Sequence, residues 1–296
     1  MRPTLIVIGG PTASGKTNAA VGLAKHFSTE VISADSRQFY RDMLIGTARP
    51  TEAELSGVKH HFLGHLALEE IWSAGAFARA AEPVLQELLA QRGIAVLVGG
   101  SGLYIDALIK GLDPLPVTDV RLRERLQKRL EHEGLPALVT DLQQHDAATW
   151  ERIDRQNPHR VLRALEVCLI TGKPFSEQRN APQERNDMRI VRIAMDLPRT
   201  ELYARIDQRV DRMVTDGLVE EARTLLPFRE HNALRTVGYR ELFMHFDGEL
   251  TVEQAFDLIK QHTRNYAKRQ MTWFRRDPGW QWLRSADLDG MISAIR

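Results

Sequence analysis

The sequence has one cysteine, no long apolar run and almost no net charge, and each shortage excludes a class of protein. Cys168 alone cannot form a disulfide within the chain, which favours a reducing compartment. No apolar segment reaches the roughly 20 residues that cross a bilayer, so we expect a cytoplasmic protein without membrane contact. The 40 basic and 39 acidic residues give a net charge of +1, so any affinity for nucleic acid must come from local clusters.

The composition is otherwise that of a globular protein, with 43% hydrophobic and 27% charged residues among 296. Short apolar runs alternate with helical patterns at both ends of the chain, which predicts an α/β fold with a parallel sheet flanked by helices. Residues 115–185 contain helical patterns only. We therefore predict a core formed by residues 1–114 and 186–296, with an inserted all-helical domain over residues 115–185.

The segment G-P-T-A-S-G-K-T at residues 10–17 is the strongest motif in the chain. It follows an apolar run and precedes a helical pattern, which is the strand–loop–helix context of a Walker A phosphate loop. Glycines let successive backbone N–H groups face one anion, and the helix start adds partial positive charge. We predict that it binds an oligophosphate or pyrophosphate, with Lys16 on phosphate oxygens and the Thr17 hydroxyl on Mg²⁺. The alternative is a glycine-rich turn that binds nothing.

Polar residues follow two further predicted strands. Residues 30–35 end in Asp35, and residues 94–98 lead into Gly-Gly-Ser with Ser101. Ligands of open parallel sheets bind at the carboxyl ends of strands, so we expect both side chains at the site, although Asp35 could instead cap a turn or helix. ATP-hydrolysing P-loop proteins normally have an acidic residue that holds Mg²⁺ at the end of such a strand. Residues 94–98 are followed by no acid, which argues against ordinary ATP hydrolysis. Residues 41–72 lack periodicity, and we expect a mobile lid or a substrate-contacting loop there.

Two later helical patterns carry basic residues. Arg205 and Arg209 are i, i+4 neighbours that could share one anion, or could pair with nearby acids on a solvated face. Residues 261–276 hold five basic residues and no acid, with three aromatic residues interleaved. This pattern is typical of a surface that follows phosphates and stacks on bases, the alternative being an amphipathic helix with its aromatics in the core.

These motifs together resemble those of the tRNA dimethylallyltransferases, also called tRNA isopentenyltransferases. The resemblance spans nearly the whole chain in the same order. It is carried by residues 10–17, A-D-S-R-Q-F-Y at 34–40, V-G-G-S-G-L-Y at 98–104, N-P-H-R-V-L-R-A-L-E at 157–166, V-G-Y-R-E at 237–241 and T-R-N-Y-A-K-R-Q-M-T-W-F-R at 263–275. Ser101 departs from the threonine usual in the family but keeps the hydroxyl.

The resemblance implies a P-loop-like fold and transfer of a dimethylallyl group from dimethylallyl diphosphate to N6 of an adenosine. That adenosine is tRNA position 37, 3′ of the anticodon in tRNAs reading codons that begin with U, and it is flipped into a channel. Asp35 is then the general base, Ser101 hydrogen-bonds near the reacting nitrogen, and Lys16, Arg209 and Mg²⁺ stabilise the departing diphosphate. We expect a monomer whose helical insertion grips the anticodon arm. The alternatives are an ATP-dependent P-loop kinase of a small metabolite and a non-catalytic RNA-binding switch.

The same reasoning assigns the binding residues. For the diphosphate they are Gly10, Pro11, Thr12, Ala13, Ser14, Gly15, Lys16, Thr17 and Arg205. For tRNA they are Asp35, Ser36, Arg37, Gln38, Ser101, Arg123, His159, Arg160, Val161, Leu162, Arg163, Arg235, Thr236, Val237, Gly238, Tyr239 and Arg240, together with Arg264, Lys268 and Arg269 of the late basic helix. Gln38 is our choice for reading a base edge, since its amide offers both a donor and an acceptor.

Overall fold

The computed structural model describes residues 2–113, 115–179 and 185–295. The chain divides into two compact units, the first made of Met1–Ile109 and Arg185–Arg296 and the second of Lys110–Glu184. These limits lie close to the insertion that we predicted at 115–185. Pro114, where we placed the first boundary, lies outside the described residues.

A six-stranded parallel sheet forms the centre of the first unit, in the order β3-β2-β4-β1-β5-β6. This confirms the predicted α/β class. The strands are β1 Thr4–Gly9, β2 Val31–Ser33, β3 His60–His61, β4 Ile94–Val98, β5 Arg189–Met195 and β6 Gln281–Leu283. The neighbours β2, β4 and β1 are almost entirely buried because helices cover both faces of a parallel sheet.

Helices surround this sheet. Those of the first unit are α1 Lys16–His26, α2 Glu52–Leu55, α3 Ala74–Arg92, α4 Gly102–Ile109, α9 Arg199–Thr215, α10 Leu218–Leu225, α11 Tyr239–Phe246, α12 Val252–Phe274 and α13 Leu288–Ile295, with short 3₁₀ turns at Leu226–Phe228 and Asn232–Leu234. One core cluster joins α3 and α12 to the sheet through Phe77, Leu85 and Phe274. A second joins α1 and α13 through Leu23 and Met291.

The second unit is all-helical. It contains α5 Val120–Glu133, α6 Leu135–His145, α7 Ala147–Arg152 and α8 Pro158–Thr171, followed by a 3₁₀ turn at Phe175–Gln178. Leucines of α5 and α6 pack on α8 to form its core. Among the residues described in both units, no helix is long and apolar enough to cross a membrane.

Residues 41–72 contain more regular structure than we expected. They include α2, which begins with a capping box at Thr51, and the edge strand β3, which pairs with β2. The carboxylate of Glu221 accepts hydrogen bonds from the backbone N–H groups of Leu44, Ile45 and Gly46 at 2.7–3.0 Å. The partner of this segment is distant in the chain, so local periodicity could not reveal it.

Candidate active site

The phosphate loop between β1 and α1 has the geometry of an anion nest. Gly10 and Gly15 have φ values of 139° and 88°, which L side chains rarely adopt, and Gly15 caps α1. Among the described residues, nothing accepts a hydrogen bond from the backbone N–H groups of Ala13, Ser14 or Gly15. The Ser14 hydroxyl is buried and donates to the Pro11 carbonyl at 2.8 Å, so this residue offers an anion its backbone N–H instead.

Lys16 points back over this loop and donates to the Pro11 carbonyl at 2.6 Å. Burial lowers the pKa of its ammonium to about 8, with Asp35 opposing the shift and Arg209 adding to it. An ammonium that has lost its water and lies beside another cation is stabilised by an arriving anion. The site is therefore electrostatically suited to an anion.

Two adjoining cavities open at the carboxyl ends of β1, β2 and β4. The first cavity, of about 320 Å³, contains the phosphate loop, Thr17 and Glu54. The second cavity, of about 340 Å³, is lined by residues 235–238, Arg240 and the side of α12 that carries Tyr266. Both cavities share a wall formed by Thr12, Lys16, Asp35, Thr47, Ala48 and Arg209. A molecule in either cavity thus reaches the same cations and the same carboxylate.

Asp35 lies just beyond the end of β2, in the shared wall. Its Oδ1 accepts a hydrogen bond from the Arg37 N–H at 3.1 Å, so the turn that we gave as an alternative role is present as well. Ser101 lies beyond β4 and contacts Ser36, whose N–H and hydroxyl are each 3.2 Å from its Oγ. Ser36 lines the second cavity, whereas Ser101 lines neither cavity. The hydroxyl of Ser101 therefore supports the Asp35 turn in this structure.

The two arginines of α9 differ in their surroundings. Arg209 donates to the Thr12 hydroxyl at 3.1 Å, directly on the phosphate loop, and burial lowers the pKa of its guanidinium. Arg205 is exposed and pairs with Glu201 at 2.7 Å, although it also lines the first cavity. The structure therefore favours Arg209 as the cation that would contact an anion in the phosphate loop. Arg205 instead forms an ion pair at the surface.

Gln38 and Arg37 are held by backbone carbonyls. The Gln38 amide donates to the carbonyls of Thr47 and Ala48 at 3.2 and 2.9 Å, which fixes the part of the wall common to both cavities. Its donor group is thus already in use, which leaves its oxygen for reading a base. The Arg37 guanidinium donates to the carbonyls of Asn232 and Ala233, while the residue itself lines the second cavity.

Three residues expected to contact tRNA are instead packed in cores, and this corrects the prediction for their side chains. Val161 and Leu162 are 0% and 1% exposed within the core of the helical unit. Tyr239 is 0% exposed, and its hydroxyl donates to Glu221 at 2.7 Å. A motif match cannot distinguish the buried side of a helix from its exposed side.

The residues on either side of Tyr239 lie at the surface of a cavity. Arg235, Thr236, Val237, Gly238 and Arg240 all line the second cavity. Arg235 also pairs with Glu230 at 3.2 Å and remains largely exposed. The Gly238 N–H donates to the buried carboxylate of Glu241 at 2.8 Å, and this carboxylate also contacts His262, so the turn is firmly fixed.

The basic residues of α12 separate into two groups. Arg264 is half-buried and forms an ion pair with Asp207, so it is not free for phosphates. Lys268 and Arg269 are exposed, and the Arg269 guanidinium lies 5.8 Å from the centre of the Tyr266 ring. Phe274 is fully buried in the core, and Trp273 is partly buried against it.

The helical unit presents a mixed surface. His159 and Arg160 are exposed at the start of α8. Arg123 and Arg163 both reach the fully buried Glu166, at 3.3 and 2.9 Å. Their guanidinium groups are thus partly used inside the unit, while about 30% of each side chain stays accessible.

Sequence reasoning missed Gln270, which is only 5% exposed on α12. Its Oε1 accepts from the Thr12 N–H, and its Nε2 donates to the Gly100 carbonyl, both at 2.9 Å. Tyr266 lies one turn earlier and lines the second cavity, and burial raises its pKa to about 12, with the charge of Asp35 adding to the shift. Both residues share helical spacing with Phe274, so a polar residue on an apolar face was the available signal.

Comparisons with known proteins agree with this geometry. The sequence model of the family described as IPP transferase matches residues 38–277. The chain belongs to the IPP transferase family. It is 47% identical over 278 residues to the tRNA dimethylallyltransferase of Christiangramia forsetii, covering 94% of this chain and 92% of that protein. The enzyme of the same name from Cytophaga hutchinsonii is 44% identical over 291 residues, covering 98% and 96%.

Solved structures of the family have the same fold. The tRNA isopentenylpyrophosphate transferase of Bacillus halodurans superposes with a TM-score of 0.71 at 37% identity, covering 99% of this chain and 94% of that one. A eukaryotic dimethylallyltransferase acting on tRNA gives a TM-score of 0.79 at 25% identity, covering 97% and 75%. These relatives favour neither of our alternatives, the metabolite kinase and the RNA-binding switch.

The donor set of the first cavity fits the magnesium that family resemblance implies. Among the residues described, no group of three or more His, Cys, Asp or Glu side chains could hold a metal. Mg²⁺ bound with a phosphate ligand commonly takes only one or two protein oxygens and completes its shell with phosphate and water. The Thr17 hydroxyl, in the same cavity as the anion nest, can supply one such oxygen.

Proposed function

We propose that this protein transfers the dimethylallyl group of dimethylallyl diphosphate to N6 of adenosine 37 in tRNAs that read codons beginning with U. The observation that carries the proposal is the wall common to both cavities, where Asp35 stands with Lys16 and Arg209. The diphosphate binds in the first cavity through the N–H groups of the phosphate loop. The flipped adenine enters the second cavity, past residues 235–240.

In the transfer, the lone pair of N6 forms a bond to C1 of the prenyl group as the bond from C1 to the diphosphate oxygen breaks. Asp35 accepts the N6 proton, which relieves the poor nucleophilicity of an amine conjugated with its ring. The charge that appears on the leaving oxygen is stabilised by Lys16, Arg209 and the loop N–H groups. Bound Mg²⁺, held by Thr17 and the phosphates, would neutralise the diphosphate further.

We propose that the tRNA contacts lie on two surfaces. In the first unit, the exposed Lys268 and Arg269 lie on the helix that lines the second cavity. In the helical unit, His159, Arg160 and the accessible parts of Arg123 and Arg163 contact the anticodon arm. One chain supplies every residue of this account, so we expect a monomer to be sufficient.

The test is transfer itself. The protein is incubated with dimethylallyl diphosphate, Mg²⁺ and an unmodified anticodon stem-loop, and the RNA is analysed by mass spectrometry. We expect a gain of one C₅H₈ unit on adenosine 37, and none when guanosine replaces that adenosine. Phosphorylation of a metabolite by ATP, without any gain on the RNA, would support the kinase alternative.

A further inference from the structure

Gln270 connects the two loops of the site, although it lies 258 residues from Thr12 and 170 residues from Gly100 in the sequence. Its amide oxygen accepts from the Thr12 N–H in the phosphate loop, and its amide nitrogen donates to the Gly100 carbonyl in the loop after β4. Both distances are 2.9 Å. The side chain is 5% exposed, so water does not compete for these bonds.

The neighbouring residues are shaped around this amide. A Cβ atom at Gly100 would lie 2.3 Å from the Gln270 nitrogen, so a side chain there would displace it. The N–H of Thr12 is directed to Gln270 while those of its neighbours in the loop stay available to an anion. The amide is therefore built into both loops, and it lines the second cavity as well.

The contacts on either side extend to the reacting groups. Thr12 also accepts a hydrogen bond from Arg209, the cation beside the anion. Gly100 precedes Ser101, whose hydroxyl contacts Ser36 next to Asp35. A path of hydrogen bonds and adjoining residues thus connects the groups proposed to hold the diphosphate with those proposed to hold the acceptor.

We propose that Gln270 is a positioning residue that sets the distance between the prenyl donor and the accepting nitrogen by fixing the phosphate loop to the loop of Ser101. This inference rests on the proposed function. Misplacing reacting groups by about 1 Å can lower a rate by about 100-fold. Both ends of its amide are bonded to the loops, so its removal lowers the rate of transfer more than it weakens the binding of either substrate.

The decisive variant is Gln270→Glu. A protonated carboxyl group has one O–H donor and one carbonyl acceptor, the same pattern as the amide, whereas the carboxylate has no donor for Gly100. Burial raises the pKa of such a carboxyl. The single-turnover rate of Gln270→Glu, divided by that of the wild type at the same pH, therefore rises as the pH falls. Dividing by the wild-type rate removes the pH dependence that both proteins share.

Two variants complete the design. Gln270→Met keeps the length of the side chain but neither hydrogen bond, so its rate falls by about 10–100-fold at every pH without recovery. Gln91→Glu, at an exposed position on α3 that lines neither cavity, leaves the ratio near one. A flat ratio for Gln270→Glu, or a Gln270→Met variant that loses thermal stability but keeps its rate, would overturn the proposal.

The failure of this inference is separable from failure of the proposed function. If the wild type transfers nothing to RNA, the proposed function falls. The affinity of the same variants for inorganic diphosphate, measured by calorimetry, then tests the role of Gln270 in shaping the phosphate loop. We expect the affinity of Gln270→Glu relative to the wild type to rise as the pH falls, and a ratio independent of pH would contradict the role.

Discussion

The ionisation of Lys16 gives the sharpest quantitative prediction. Burial lowers its pKa to about 8, so about half of the ligand-free molecules carry a neutral amine at pH 8 and about nine-tenths at pH 9. A diphosphate binds the charged form. Binding should therefore take up about 0.1 proton at pH 7, about 0.5 at pH 8 and about 0.9 at pH 9. Above pH 8 the affinity should fall by up to about tenfold per pH unit.

The assay is calorimetric titration with inorganic diphosphate in buffers of different ionisation enthalpy, which reports the protons taken up. Lys16→Arg is the matched control, because arginine stays charged throughout this range. Protons that belong to diphosphate itself appear in both titrations and cancel in the difference. Equal proton uptake by the two proteins from pH 7 to pH 9 would refute the lowered pKa of Lys16 in the ligand-free protein.

The other predictions concern the groups around Lys16 and the residues proposed to contact RNA. Asp35→Asn should lower the single-turnover rate by about 10²–10⁴-fold with little change in RNA affinity, and a loss of affinity alone would make Asp35 a positioning residue. Arg209→Ala should weaken diphosphate binding far more than Arg205→Ala, because the latter side chain is exposed and paired with an acid; equal losses would contradict this difference. Lys268→Ala should reduce the slope of the logarithm of RNA affinity against the logarithm of salt concentration by about 0.7–0.9. Arg264→Ala should mainly lower the melting temperature, because Arg264 is paired with Asp207. The reverse result would mean that Arg264 contacts the RNA and Lys268 stabilises the fold.

Much of the fold was predictable because its signals are local. The spacing of apolar residues predicts a helix from residue 74, and the structure has Ala74–Arg92 with Gly93 as its left-handed cap. The same holds for α5, where the Asp119 side chain accepts from the Leu122 N–H and fixes the start of the helix. The strand Ile94–Val98 was recognised from its unbroken apolar run.

The rest depends on contacts between distant parts of the chain. The edge strand β3 and the strand β6 have two and three residues, too few for a period to appear. The burial of Tyr239 follows from Glu221, which lies 18 residues away on another helix. The role of Gln270 follows from two loops that the sheet brings together. Motifs identified the loops that form the site, while packing decided which side chains face it.

The central claim is that the phosphate loop holds a prenyl diphosphate and that no nucleoside triphosphate takes its place. The most direct measurement is a calorimetric comparison of dimethylallyl diphosphate and ATP, each titrated into the protein with Mg²⁺. We expect tight binding of dimethylallyl diphosphate, lost in Arg209→Ala, and much weaker binding of ATP. Tight binding of ATP with no heat from the prenyl diphosphate would contradict the account.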